Sequence, residues 1–191
     1  MTEKEKMQFM AGIITESKEK KEPKLPLAHD DDRMPYSKDR KEDKSDLPKN
    51  ILDEIENEIV GEVFGMKITR INGEEMRNKA DIDFCLGGNP ARYEYVPKGQ
   101  LWAEQFLTKT DFAATIIHEL TECIIMEYKE ESYDNAHNKA SEVEIAFRKK
   151  VDAGDIKISS FEEVADIVKE YATKGAKEIY NIDLEKLINK K

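Results

Sequence analysis

The residues best suited to chemistry are His118-Glu119-Leu120-Thr121-Glu122, set between the apolar runs Phe112-Ala113-Ala114-Thr115-Ile116-Ile117 and Cys123-Ile124-Ile125-Met126. On an α-helix, side chains four apart lie one above the other, so the His118 imidazole and the Glu122 carboxylate converge on one point. Glu119 projects about 100° away from His118. Two convergent ligands and a neighbouring base are what a metal ion requires of a helix. With 26 Glu and three His in 191 residues, His-Glu-x-x-Glu is expected by chance roughly 0.06 times. Unsatisfied Glu and His in so apolar a helix cost several kcal/mol each, so these groups need partners.

A second helix supplies them. His137 and Glu144 are seven residues apart, two helical turns, and project nearly together at the edge of the stripe Ala136, Ala140, Val143 and Phe147. The competing account is a buried His/Glu hydrogen-bond network that fastens two helices without a metal. Asp134-x-x-His137 also has the spacing found in di-metal helical sites, but those need repeated Glu-x-x-His pairs, and Thr115 stands at the corresponding place before His118.

With an extended segment before it and a His-bearing helix after it, His118-Glu119-x-x-Glu122 resembles a variant of the zincin-like metallopeptidases. Those carry His-Glu-x-x-His on an active-site helix that follows a sheet, with the third metal ligand on a later helix or turn. The stretch from about Asp81 to Arg148 is also similar to small uncharacterised phage-type and prophage-type proteins with a His-Glu-Leu core and a downstream Ala-His, here Ala136-His137. Glu122 stands where the common motif has its second His, and His137 where thermolysin-like members have a Glu. Two imidazoles and one carboxylate are still present, in permuted order.

The resemblance implies one Zn²⁺ per chain, held by His118, Glu122 and His137 with a fourth position for water, and Glu119 as general base in peptide hydrolysis. Glu144 is expected to orient a ligand imidazole. As a fourth protein ligand it would instead close the site and make the ion structural. Tyr133 and Arg148 are further candidates for stabilising an oxyanion. The alternative function is a non-catalytic interaction or assembly protein that keeps the fold, with a structural metal or a metal-free network.

The rest of the chain bounds these readings. Net charge is −10 and 38% of residues are charged, with Lys alternating closely with Glu and Asp. No basic face emerges to track phosphates, so nucleic acid is not an expected partner. Cys85 and Cys123 lie far apart in apolar surroundings, as in a reduced chain. No secretory signal and no run of about 18 apolar residues is visible, so no membrane partner is expected and the expected location is cytoplasmic. Partners are then a peptide or protein substrate, and proteins docking on the arm or the C-terminal helices.

Three regions are expected: a charged, disordered arm over 1–48, a zincin-like metal-binding domain over 49–150, and a helical extension over 151–191. The arm contains His29 beside Asp30-Asp31-Asp32 and cannot bury enough apolar surface to offset its entropy. In the domain, Ile51, Leu52, Ile55 and Ile59 have helical spacing. Val63 to Ile71, Asp81 to Leu86, Tyr93 to Val96 and Gln100 to Ala103 read as extended, divided by Asn72-Gly73, Gly87-Gly88-Asn89-Pro90 and Pro97-Lys98-Gly99. Tyr93, Tyr95 and Trp102 suit a substrate-binding edge or the core. Helices are expected over Asp111–Glu130 with Thr110 as N-cap, over Tyr133–Lys150, and from Ser160, where Ser160-Phe161-Glu162-Glu163 matches a capping box. Short strands followed by long helices make the class α+β.

Overall fold

The computed structural model describes residues 50–188; the expected arm over 1–48 lies outside them. The chain is mixed α+β, with a four-stranded sheet on one side and long helices on the other. Strand β1 (Asn57–Val63) turns back through Phe64-Gly65, both at positive φ, into β2 (Met66–Ile71), its antiparallel partner. A short helix α1 (Gly73–Lys79) and an irregular loop then carry the chain across to β4 (Gln100–Glu104), parallel to β2. The two-residue β3 (Gly87–Gly88) pairs antiparallel with β4 and forms the edge, giving the order β1-β2-β4-β3.

Helix α2 (Lys109–Lys129) crosses this sheet and is buried continuously from Phe112 to Glu127. Helices α3 (Tyr133–Asp152) and α4 (Val164–Tyr180) cover its other sides, and α5 (Leu184–Ile188) follows. The stripe Ala136, Ala140, Val143 and Phe147 is the buried face of α3, as its spacing predicts. Val164, Val168, Ala172 and Ala176 of α4 share one core with Ile116, Leu120, Val143 and Phe147. The segment after residue 151 therefore packs into the same core as the helix that carries His118 and Glu122. A smaller cluster of Ile51, Ile55, Ile71, Met76, Phe84, Val96 and Trp102 lies on the other face of the sheet.

Several local expectations are corrected. The predicted helix over 51–59 is a 3₁₀ turn at Ile51–Asp53 followed by β1, and Ile59 is 54% exposed. Asn57 Nδ2 donates to the carbonyls of Leu52 and Ile55 at 2.8 and 2.9 Å, ending the turn before a helix can propagate. The Val63–Ile71 segment is the end of one strand, a tight turn and a second strand. Asp81–Leu86 folds into turns around the Asp81 carboxylate, which accepts the Asp83 N–H. Tyr93–Val96 is not a strand, because Asn89 Oδ1 captures the Ala91 and Arg92 N–H groups and the Asn89 carbonyl takes those of Arg92 and Tyr93. The N-cap of α2 is Thr108 rather than Thr110: its hydroxyl accepts the Asp111 N–H at 3.1 Å. Helix α4 starts at Val164, and the reach-back bond runs from Ser159 N–H to Glu163, one register before the expected box.

Candidate metal centre

Helix α2 presents His118 and Glu122 one turn apart, and α3 brings His137 against them. His118 Nε2, Glu122 Oε2 and His137 Nδ1 form a triangle with edges of 3.4, 2.9 and 3.1 Å. Donors about 2.0–2.1 Å from a tetrahedral ion stand about 3.3 Å apart, so these three atoms have the spacing of a coordination face. Among the described residues, no other group of three His, Cys, Asp or Glu has this convergence. The His137 side chain is 43% exposed, against 11% for His118 and 3% for Glu122, so the triangle opens to solvent on the α3 side.

Glu144, one of the residues singled out from sequence, sits on the other nitrogen of the first imidazole. Its Oε2 lies 3.1 Å from His118 Nδ1, while Oε1 accepts from Arg148 Nε at 2.8 Å. Arg148 in turn donates to Asp111 Oδ1 at 2.6 Å. This chain of contacts from the first turn of α2 to α3 assigns a proton to Nδ1 on the Glu144 side and turns Nε2 toward the triangle. Arg148, which the sequence offered as an oxyanion donor, is committed to carboxylates instead.

Glu119 lies on the sheet side. Asn89 Nδ2 donates both to Glu119 Oε2 at 2.7 Å and to Glu122 Oε1 at 2.9 Å, placing the two carboxylates on one amide. With Oδ1 held by two backbone N–H groups, all four hydrogen-bonding positions of this fully buried side chain are used. Gly87 is required here, because a Cβ on it would meet Thr115 Cγ2 at 2.6 Å and Glu119 Oε1 at 2.9 Å. From sequence alone, Gly87 to Pro90 is a chain breaker and nothing more. That Asn89 is buried while flanked by Gly and Pro leaves no trace in the residue pattern.

No family model, curated protein or solved structure matches this chain.

Burial, and next the charge of Glu122, push the Glu119 carboxyl up to about 8. Burial acts the same way on Glu122, but hydrogen bonds with His118 and His137 outweigh it and hold that group at about 2. For His118, burial opposes the charged form, while Glu122 and Glu144 stabilise it and raise the imidazole to about 10. Two carboxylates three residues apart are thus driven in opposite directions, one toward binding a proton and one toward permanent charge.

The remaining residues form the mouth. Tyr133 Oη lies 3.4 Å from His137 Nδ1, and Arg92 stacks over the Tyr133 ring at 4.0 Å. Tyr93, Tyr95 and Trp102 stack in series with centroids 5.2 and 6.0 Å apart. Trp102 is fully buried in the smaller core cluster, and Tyr93 and Tyr95 both pack at its margin, where Tyr95 donates to Asp81 Oδ2. Both cysteines are free, Cys85 exposed and Cys123 buried. No described helix is long and apolar enough to cross a membrane.

Proposed function

We propose that the protein is a zinc-dependent hydrolase of the zincin-like kind, acting on peptide bonds. The observation that carries this reading is the triangle of His118 Nε2, Glu122 Oε2 and His137 Nδ1, whose edges of 2.9–3.4 Å suit one ion. Two imidazoles and a carboxylate are a donor set that zinc favours, and an ion held there supplies a Lewis acid that polarises a carbonyl and acidifies water.

The protein's own groups do the rest. Glu119 is the general base: it takes the proton of the attacking water and returns it to the leaving amine. Its raised proton affinity, about 8, sits close to neutral pH, where base and conjugate acid are both accessible. Asn89 holds that carboxylate beside Glu122, and Glu144 with Arg148 holds the His118 ring in the orientation that faces the substrate side. The exposed edge of His137 leaves the entrance open.

A second reading has an observation in its favour. His118, with a proton held up to about 10, can donate to Glu144 and to Glu122 at once, so the cluster can satisfy itself as a metal-free clamp between α2 and α3 in an interaction protein. Metal analysis of the purified protein separates the two. About one zinc per chain is expected, and Glu119→Gln should keep metal and fold while losing on the order of 10²- to 10⁴-fold in turnover. A metal-free preparation whose melting temperature is unmoved by added zinc would put the clamp first.

A further inference from the structure

Four arginines lie among the described residues, and three of them are matched to acids. Arg70 meets Glu58 at 2.8 Å, Arg77 meets Glu104 at 3.1 Å, and Arg148 meets Asp111 at 2.6 Å and Glu144 at 2.8 Å. Arg92 has no carboxylate within ion-pairing distance among the described residues; its Nε, like that of Arg70, is buried with no hydrogen-bond partner. In a chain of net charge −10, a half-buried guanidinium without an acid is a departure that calls for a ligand.

Its position ties it to the site from two sides. The Arg92 backbone N–H donates to Asn89 Oδ1 at 3.1 Å, and the same Asn89 side chain holds Glu119 and Glu122. The guanidinium carbon lies 4.0 Å from the centre of the Tyr133 ring and 5.3 Å from that of Tyr93, and the Tyr133 hydroxyl reaches His137. Stacking on aromatic rings occupies the faces of a guanidinium and leaves N–H donors along its edges for a planar, bidentate acceptor. Glu119 and Glu122 beside it disfavour a doubly charged phosphate, whereas a single carboxylate can be taken by the Arg92 guanidinium.

We infer that Arg92 selects the substrate by binding a carboxylate of an acidic peptide at the mouth of the site. This rests on the hydrolase reading for what happens to the bound peptide, but not for the binding itself. The carboxylate comes either from an Asp or Glu side chain or from the peptide's C-terminus, and both present the same planar acceptor.

The test uses the full chain loaded with zinc and fluorescent octapeptides that differ only in carrying Glu, Gln or Lys at one position, each with a free or amidated C-terminus. Affinity is read by anisotropy on the Glu119→Gln protein, so that no turnover is needed, and cleavage is read separately on the wild type. Carboxylate-bearing peptides should bind about 10- to 100-fold more tightly than their neutral counterparts. Arg92→Gln should erase that preference with zinc content and melting temperature retained, and Arg92→Lys should keep part of it. A preference tied to the free C-terminus assigns that source, and one tied to Glu assigns the side chain. Equal affinity for acidic and neutral peptides, or a preference that persists in Arg92→Gln, overturns the inference. Should Arg92→Gln fail to fold, Arg92→Lys decides, because full retention of preference and affinity would exclude bidentate recognition. Acidic peptides bound through Arg92 but never cleaved would leave this inference standing and remove the hydrolase reading alone.

Discussion

Asn89 is the residue on which two carboxylates and a loop depend. Its amide hydrogens separate Glu119 from Glu122 and its oxygen turns the chain at Ala91 and Arg92. Asn89→Ala would leave buried donors and acceptors unpaired, and an expected cost of about 2–4 kcal/mol follows, readable by denaturant unfolding. A loss under about 0.5 kcal/mol would show that other groups take over its bonds.

The same cluster gives a pH dependence to the metal-free protein. Glu119, pushed above its usual 4.5, favours the fold while protonated, a contribution lost as pH rises through about 8. His118, raised from 6.5, contributes fully below that value and loses it as pH rises through about 10. Glu122, lowered from 4.5, contributes above that value and loses it as pH falls toward about 2. Chelator-treated protein should therefore melt highest in the mildly acidic range and progressively lower on the alkaline side. A melting temperature that climbs from about pH 6 to about pH 9 would contradict this assignment of charges.

At the scale of elements, the site is a seam between α2 and α3, and its alignment depends on a contact on the far side of the His118 imidazole. Arg148 joins Asp111 in the first turn of α2 to Glu144 on α3, and Glu144 meets His118. Thr108 and then Arg148 hold Asp111 below its ordinary carboxyl range, in keeping with a charged link. Arg148→Met should leave both helices in place yet weaken zinc binding about 10- to 100-fold, measured by competition with a chelator. Unchanged affinity would mean that packing alone orients the His118 ring.

For the whole molecule, the decisive contact is that of α4 with the two site helices. Gly175 lies where a Cβ would stand 2.7 Å from Val143 Cγ1, a close approach of α4 to α3. Gly61 of β1 is similarly near Ala165, so α4 also closes over the first strand. Ending the chain after Asp152 would strip Val164, Val168, Ala172 and Ala176 from the core and expose Val143 and Phe147. Such a chain is expected to lose its cooperative thermal transition by circular dichroism. A sharp melt would show instead that residues through Asp152 fold without the C-terminal helices.

Two periodicities were legible in the residues alone. His118 and Glu122 share a helix face because 3.6 residues per turn puts i and i+4 together, and the α3 stripe is set by the same rule. Composition and order of segments sufficed for the α+β class, since short extended runs precede long apolar helices. What lies between elements was not legible. The 51–59 segment has helical spacing, yet Asn57 stops the turn and pairing with β2 makes the next residues a strand. Nor does any local pattern bring Asn89 to Glu119, thirty positions away, or leave Arg92 with no acid among the described residues while every other described arginine has one. Periodicity acts over a few residues through fixed backbone geometry, whereas the partners of a buried polar group are chosen only when distant elements pack and water is excluded.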